Sequence, residues 1–571
     1  MIGARAVVRS LEKMGTEYTF GMPGAQNLEL FDALVDSNIK NILVTNELFA
    51  AFMAEGYSQA TGRVGVCLAI PGPGLTNMAT GLAEAYLDSC ALVVLVAGLD
   101  EPDKEFYIHQ IRQLEVVGPI VKAVFKIEDT GEIPSKIYDA FDLAQQGEPG
   151  PVVVEINKRL FKRRVEFQKN YNVQYEEDGA GDKDKIKQIT EVLINADSCG
   201  IYAGGGALSA GPQIKQLAEM FSMPVATTIS GRGVIPEDHP LSVGFGFGPS
   251  GSKLAEDIFK QCDVILALGC KFSEMSTGSW GMDMPDNLVH IDANEEVFNK
   301  NYPSKITLRQ DIKTALEQIL ELVEGVKKRK NSRLMDEIRK YREGHSGLPV
   351  GIGRQEPVSP SRFFHQLRKT LDRDAILVTD CGNHQLWAIS DFMVFEPGTF
   401  ITPADYQAMG FGIPAAIGAK IGRPDKKVIC VCGDGGFLIS GFEVLTAIRE
   451  KLDLVVVVFN DGALGLIKNL QERFYLRSSS VDLTAPDYGM LAKSLGMDYA
   501  RIDTEEGLAD ILKEALAKKG VVLVDVKVSY DQLAEYIKGM ERIVWGRLPL
   551  SKKAGSVIKM INRKLLRRKP L

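Results

Sequence analysis

The sequence predicts an α/β protein built from three doubly wound parallel-sheet domains. Short apolar runs recur along the chain with helical patterns between them, as expected for parallel strands joined by crossover helices. Two polar, glycine-bearing segments, 170–185 and 344–361, divide these runs into three blocks. The chain is 571 residues long, more than one hydrophobic core is expected to fill.

The first block spans 1–165. Its strand candidates are NILVT (41–45), VGVCLAI (64–70), ALVVLVAG (91–98) and PVVVEI (151–156). The second spans 186–340, with CGIYAGGG (199–206), PVATT (224–228), DVILALG (263–269) and LVHID (288–292). Gly204, Gly205 and Gly206 either face a nucleotide or pack a strand tightly on a helix. The run Lys327–Lys330 reads as solvated surface. The third block, 362–530, carries AILVTDCG, VICVCGDGG, LVVVVFND and VVLVDVKV. Blocks one and three look like two copies of one architecture.

A basic tail, 531–571, follows. From Lys552 onward it holds eight Lys or Arg and no acid, so the formal charge of −7 hides a body near −15. That acidic body argues against nucleic acid as a partner. In the tail Val557, Ile561 and Leu565 form a stripe flanked by cations. Such a helix can make weak contact with an anionic membrane, dock on the acidic body, or fold over an active-site mouth. Apolar content of 45% and charged content of 25% are those of a soluble globular protein. The N-terminus reads as an amphipathic helix rather than a signal peptide, and no apolar run is long enough to cross a membrane, so a cytoplasmic location is expected. Eight scattered cysteines without a CxxC pair read as reduced, buried thiols.

The most informative stretch is 428–462, VICVCGDGGFLISGFEVLTAIREKLDLVVVVFNDG. It reads as strand, glycine turn, helix, strand. Parallel strands joined by a crossover helix place their carboxyl ends side by side. Asp434 and Asn460-Asp461 should therefore meet at one sheet edge. Hard oxygen ligands there suit Mg²⁺ or Ca²⁺, and the N–H groups of a glycine turn opening a helix suit phosphate.

This stretch resembles the GDG…NN signature of thiamine-diphosphate enzymes, with Asp461 where the family has a second Asn. The resemblance implies a diphosphate against Gly433, Asp434, Gly435 and Gly436. It implies Mg²⁺ on Asp434, Asp461 and the backbone carbonyl of Ala463, with Asn460 as the alternative ligand, and it sets Gly465 and Leu466 beside cofactor and substrate. Upstream, DCGNHQLWA (380–388) and YQAMGFGIPAAIGA (406–419) resemble acetolactate synthase segments. They imply that Gly382, Asn383 and His384 lie against the diphosphate and that Met409 wedges between the cofactor rings. In block one, Glu47 opens an apolar helix and PGPGLTN (71–77) follows. A carboxylate at a helix start can be there only for the helix dipole. The resemblance implies more: Glu47 bonds the aminopyrimidine and relays its proton, as suits a carboxyl in an apolar cleft, with Pro71 beside the cofactor. Gln110, or Gln113 in a shifted register, would touch the bound intermediate.

The family reading implies decarboxylation of a 2-oxo acid, pyruvate first, and carboligation to a second, in a homo-oligomer with its active site between chains. A pyruvate-oxidase-type enzyme or another decarboxylase shares every cofactor motif. A third reading is a non-catalytic relative, marked by Gln26, Lys271 and Asp461. The family's flavin-binding Arg-Phe-Asp-Asp-Arg segment reads Lys271-Phe272-Ser273-Glu274-Met275, which leaves FAD open. Leu470 replaces the Trp of biosynthetic acetohydroxyacid synthases, so 2-ketobutyrate as acceptor has no support.

Overall fold

The computed structural model describes residues 1–99, 104, 106–167, 182–248, 251–345, 357–530, 532–547 and 549. The tail from Lys552, with its stripe of Val557, Ile561 and Leu565, lies outside the described residues, as do most of the two linkers.

Each block folds around one parallel six-stranded sheet. The first contains β1 (Tyr18–Gly21), β2 (Lys40–Leu43), β3 (Gly65–Ala69), β4 (Leu92–Gly98), β5 (Ala123–Ile127) and β6 (Val152–Asn157) in the order β2-β1-β3-β4-β6-β5. The second contains β7 (Cys199–Ala203), β8 (Val225–Thr227), β9 (Ser242–Phe245), β10 (Val264–Leu268), β11 (Asn287–Asp292) and β12 (Ile306–Arg309) in the order β12-β11-β10-β7-β8-β9. The third contains β13 (Ile376–Thr379), β14 (Phe400–Ile401), β15 (Val428–Gly433), β16 (Leu454–Asn460), β17 (Asp498–Ile502) and β18 (Val521–Lys527) in the order β14-β13-β15-β16-β18-β17. The third sheet repeats the order of the first, strand for strand. Central strands such as β4 and β16 are buried almost throughout, because helices cover both faces.

Blocks one and three share a core. Helix Glu47–Thr61 is buried nearly all round, as is helix Gly412–Gly422, and the two cross each other. A helix apolar on every side has to be covered on every side. The crossing is closed by two glycines. A Cβ on Gly56 would lie 2.1 Å from the Ala415 carbonyl oxygen, and one on Gly418 only 1.9 Å from that of Met53. Beside this contact the rings of Phe52 and Phe411 meet edge to face at 5.3 Å. Backbone bonds also tie the blocks, since Asp88 accepts the N–H groups of Ala404 and Asp405, both at 2.9 Å. No helix among the described residues is long and apolar enough to cross a membrane. All eight cysteines are free thiols, and every one but Cys381 is fully buried.

Candidate active site

The strands β15 and β16 are hydrogen-bonded neighbours, with Gly433 opposite Phe459. Their carboxyl ends therefore deliver Asp434 and Asn460-Asp461 to one edge of the third sheet. Asp434 begins helix Asp434–Ser440 and is fully buried. Its Oδ2 accepts the N–H groups of Asp461 (2.9 Å) and Gly462 (3.0 Å), and its Oδ1 accepts the Tyr488 hydroxyl (2.8 Å). Burial and then the Asp434 carboxylate push the half-buried Asp461 carboxyl up to about 7. A divalent cation between two such groups would relieve that repulsion. Asn460 is engaged elsewhere, its Nδ2 donating to Asp525 Oδ1 at 2.9 Å. Among the described residues no three His, Cys, Asp or Glu gather as a metal site. A cation here would draw its remaining oxygens from a backbone carbonyl such as Ala463, from water and from a diphosphate.

The cradle beside these carboxylates is set by Asp380 at the end of β13. This buried side chain accepts three backbone N–H groups, from Cys381 (2.9 Å), Gly410 (3.0 Å) and Gly412 (2.8 Å). Burial raises its carboxyl to about 6 against those donors. The three bonds fix the Asn383 helix start and the Met409 turn relative to each other. Gly382 has φ 146°, where a side chain would be strained, and a Cβ there would lie 2.9 Å from the His384 ring. His384 is buried, and burial pulls its pKa down to about 4, so its ring is neutral. Its Nε2 and the Asn383 Nδ2 are buried without a hydrogen-bond partner. Such orphans are costly unless a ligand satisfies them. Around them the surface is bare: a Cβ on Gly433 would touch the His384 ring at 3.4 Å, and one on Gly465 would lie 3.3 Å from Asn383 Nδ2 and 2.3 Å from Asp461 Oδ2. A diphosphate with its Mg²⁺ fits this combination of orphan nitrogens, side-chain-free backbone and paired carboxylates.

Next to the cradle, Met409 Cε and Leu464 Cδ2 converge over Gly435, at 2.7 and 2.8 Å from where its Cβ would stand. Leu466 packs instead against the core on the other face of the third sheet. In block one Glu47 is 5% exposed. Asn46 caps its helix by accepting the Leu48 N–H, and Asn77 Nδ2 donates to Glu47 Oε2 at 3.1 Å. Pro71 is buried in the adjoining loop. Gly72 in that loop donates its N–H to Gln113 Oε1 (2.9 Å), while Gln113 Nε2 reaches Glu155 Oε2 (2.6 Å). Gln110 is exposed, and its Oε1 accepts the Tyr107 N–H at 3.0 Å. Of the two glutamines, Gln113 is the one built into the loop beside Glu47.

Sequence reasoning passed over Tyr488, Leu464, Asn77 and the positioning role of Asp380. Asp380 stood inside the quoted DCG motif and could have been chosen, because a buried acid before a glycine turn needs backbone donors. Tyr488 carried no local signal.

Three family models of thiamine pyrophosphate enzymes match in chain order: the N-terminal TPP binding domain over 1–116, the central domain over 186–319 and the C-terminal TPP binding domain over 380–526. Among curated proteins, the probable acetolactate synthase large subunit of Methanocaldococcus jannaschii is 33% identical over 549 residues, covering 92% of each chain. The acetolactate synthase isozyme 3 large subunit of Escherichia coli is 33% identical, covering 92% of this chain and 94% of its own. The isozyme 2 large subunit of the same organism is 30% identical, covering 92% and 96%. The orphaned nitrogens at Asn383 and His384 lie within the segment that matches the C-terminal TPP binding domain, and the chain belongs to the thiamine pyrophosphate enzyme family.

Proposed function

We propose that the protein is an acetolactate-synthase-type carboligase, which decarboxylates pyruvate and joins the two-carbon unit to a second 2-oxo acid. The observation that carries this reading is the cradle at the third sheet's edge, with two orphaned buried nitrogens facing paired carboxylates. Likeness to acetolactate synthase large subunits along nearly the whole chain selects the reaction. Bound thiamine diphosphate supplies the electron sink for decarboxylation and the carbon nucleophile for ligation. Asp434, Asp461 and the Ala463 carbonyl would hold Mg²⁺, and Asn383 and His384 would bond the diphosphate. Met409 and Leu464, converging over Gly435, would shield a bound cofactor from water. Glu47, steadied by Asn77, would hold and relay a proton at its carboxyl.

The same reading makes the active form at least a dimer in the cytoplasm, with domains over 1–165, 186–340 and 362–530. Glu47 is met by residues of its own block, Asn77 and Gly74. The segment just past Asp434 exposes Leu438, Ile439, Phe442 and Leu445. A contiguous apolar face beside a site supports burial against a second chain. Product analysis of the purified protein with pyruvate, thiamine diphosphate and Mg²⁺ tests the function. Acetolactate is the expected product. Free acetaldehyde alone, or acetate with a reduced electron acceptor, would overturn carboligation in favour of the decarboxylase or oxidase reading. Light scattering should give at least twice the chain mass, and a fully active monomer would refute the shared site.

A further inference from the structure

A cavity of about 540 Å³ opens where the three blocks meet. It lies between the glycine turn after β7, the loop after β10 and the segment 398–405. In acetolactate synthases the segment matching 271–275 helps hold flavin, so this is where a flavin dinucleotide would have to lie. A dinucleotide brings a dianionic diphosphate, and a protein meets that charge with free backbone N–H groups or free cations.

Most of the glycine turn's donors are spent within the protein, Gly205 being the exception. Gly204 donates its N–H to the Leu268 carbonyl (2.8 Å), Gly206 to that of Gly269 (3.3 Å), and Ala207 to that of Gly204 (3.1 Å). A Cβ on Gly204 would stand 2.0 Å from the Gly269 oxygen. Gly204 and Gly206 are therefore there for the close approach of β7 to the loop after β10. The cations are committed as well. Lys271 Nζ pairs with Glu148 Oε1 at 2.6 Å and also donates to the Leu87 carbonyl at 2.6 Å. Arg232 is buried in a bidentate pair with Glu237 (2.8 and 2.9 Å). Around them stand the carboxylates Asp88, Glu148, Asp292 and Asp405, all lining the cavity. Burial pushes Asp88 up to about 7 and Asp292 to about 6.

We infer that this cavity rejects flavin dinucleotide and other nucleoside diphosphates, and that the Lys271–Glu148 bridge occupies the charge that a diphosphate would need. Glu148 is the centre of that bridge, also accepting from Ser89 Oγ (2.7 Å) and Asn294 Nδ2 (2.6 Å). It thereby joins block one to the loops after β10 and β11 of block two. The inference bears on the proposed function, because it removes the oxidase reading, which passes electrons to flavin. Its test reads binding rather than turnover, so it can fail while carboligation stands.

The full-length protein should purify without visible flavin absorbance. Added FAD in large molar excess should keep its fluorescence unquenched, and ADP should give no heat in calorimetry. Glu148→Gln frees Lys271 and removes one carboxylate. Asp292→Asn removes a carboxylate while leaving the bridge intact. Each variant, checked for fold by circular dichroism, should quench FAD fluorescence saturably at concentrations where the wild type leaves it unquenched. Flavin retained by the wild-type protein, or saturable binding of FAD or ADP to it, would overturn the inference. No gain in either variant would overturn charge as the cause.

Discussion

Glu47 and Tyr488 mark the two ends of what a single residue reveals about this site. Glu47 was legible because motif and position coincide, an acid opening an apolar helix after a strand. Glu47→Gln keeps the shape and the Asn77 contact while removing the proton relay. Turnover of pyruvate should fall by about 10²–10⁴-fold, with thiamine diphosphate and Mg²⁺ still retained on gel filtration. A wild-type rate would remove Glu47 from the chemistry. Tyr488 lies far from the motif in sequence, and only the fold brings its hydroxyl to Asp434 Oδ1 at 2.8 Å. Groups that orient a metal ligand typically matter by about 10–100-fold in metal affinity. Tyr488→Phe should raise the Mg²⁺ concentration needed for cofactor retention by about that factor, with the melting curve little changed. An unaltered Mg²⁺ titration would show that Asp434 is held well enough by the Asp461 and Gly462 N–H groups alone. Leu464 and Leu466 show the limit of motif reading. Two positions apart at the start of a helix, they face different neighbours, and which one reaches Gly435 depends on where that helix begins.

At the scale of elements, most interior strands were readable and most edge strands were not, the exceptions being the edge strand β2, read as NILVT, and the interior strand β1, which was passed over. Strands β3, β4, β6, β15, β16 and β18 are mostly apolar because helices cover both faces. The edge strands β5 (AVFKI) and β17 (DYARI) mix charged and apolar residues because one side meets solvent. No apolar run announces them. The glycines of the 406–419 motif were read as family signature, whereas the structure gives Gly418 a mechanical task. It lets helix Gly412–Gly422 touch the Met53 carbonyl. Gly418→Ala places a methyl group against rigid backbone, and overpacking of this kind costs about 1–3 kcal/mol. The variant should melt several degrees lower in calorimetry. Because this crossing also carries Glu47, it should lose turnover in step with that loss. An unchanged melting temperature would mean the two helices separate at little cost.

For the whole molecule, the twofold resemblance of blocks one and three was visible as a repeat of strand and helix runs. Their mutual packing was not, because it rests on residues far apart in sequence. The same junction gathers buried acids that no local pattern predicts. Glu55 and Glu84 are buried and Asp88 half-buried on two neighbouring helices of block one, and Glu84 and Asp88 bond the segment after β14. Glu84 Oε2 accepts the Ala408 N–H at 2.8 Å, while its Oε1 is buried without a partner. Burial first, and then the Asp88 carboxylate, raise the Glu84 carboxyl from its ordinary 4.5 to about 9. The folded chain therefore holds this proton more tightly than the unfolded chain does. Between those two values the native state binds more protons than the unfolded state, so stability falls as pH rises. The contribution is whole below about 4.5 and is lost by about 9. Each unit of pKa difference corresponds to about 1.4 kcal/mol for a fully expressed shift. Glu84→Gln keeps an oxygen for the Ala408 N–H and has no proton to lose. Asp88 still titrates in the variant, so the slope should lessen rather than vanish. Melting temperatures by calorimetry at pH 6 and pH 9 should drop less between the two conditions in Glu84→Gln than in the wild type. Parallel losses in the two proteins would show that Glu84 is relieved of its burial cost, by water or by a cation reaching the junction between the first and third blocks.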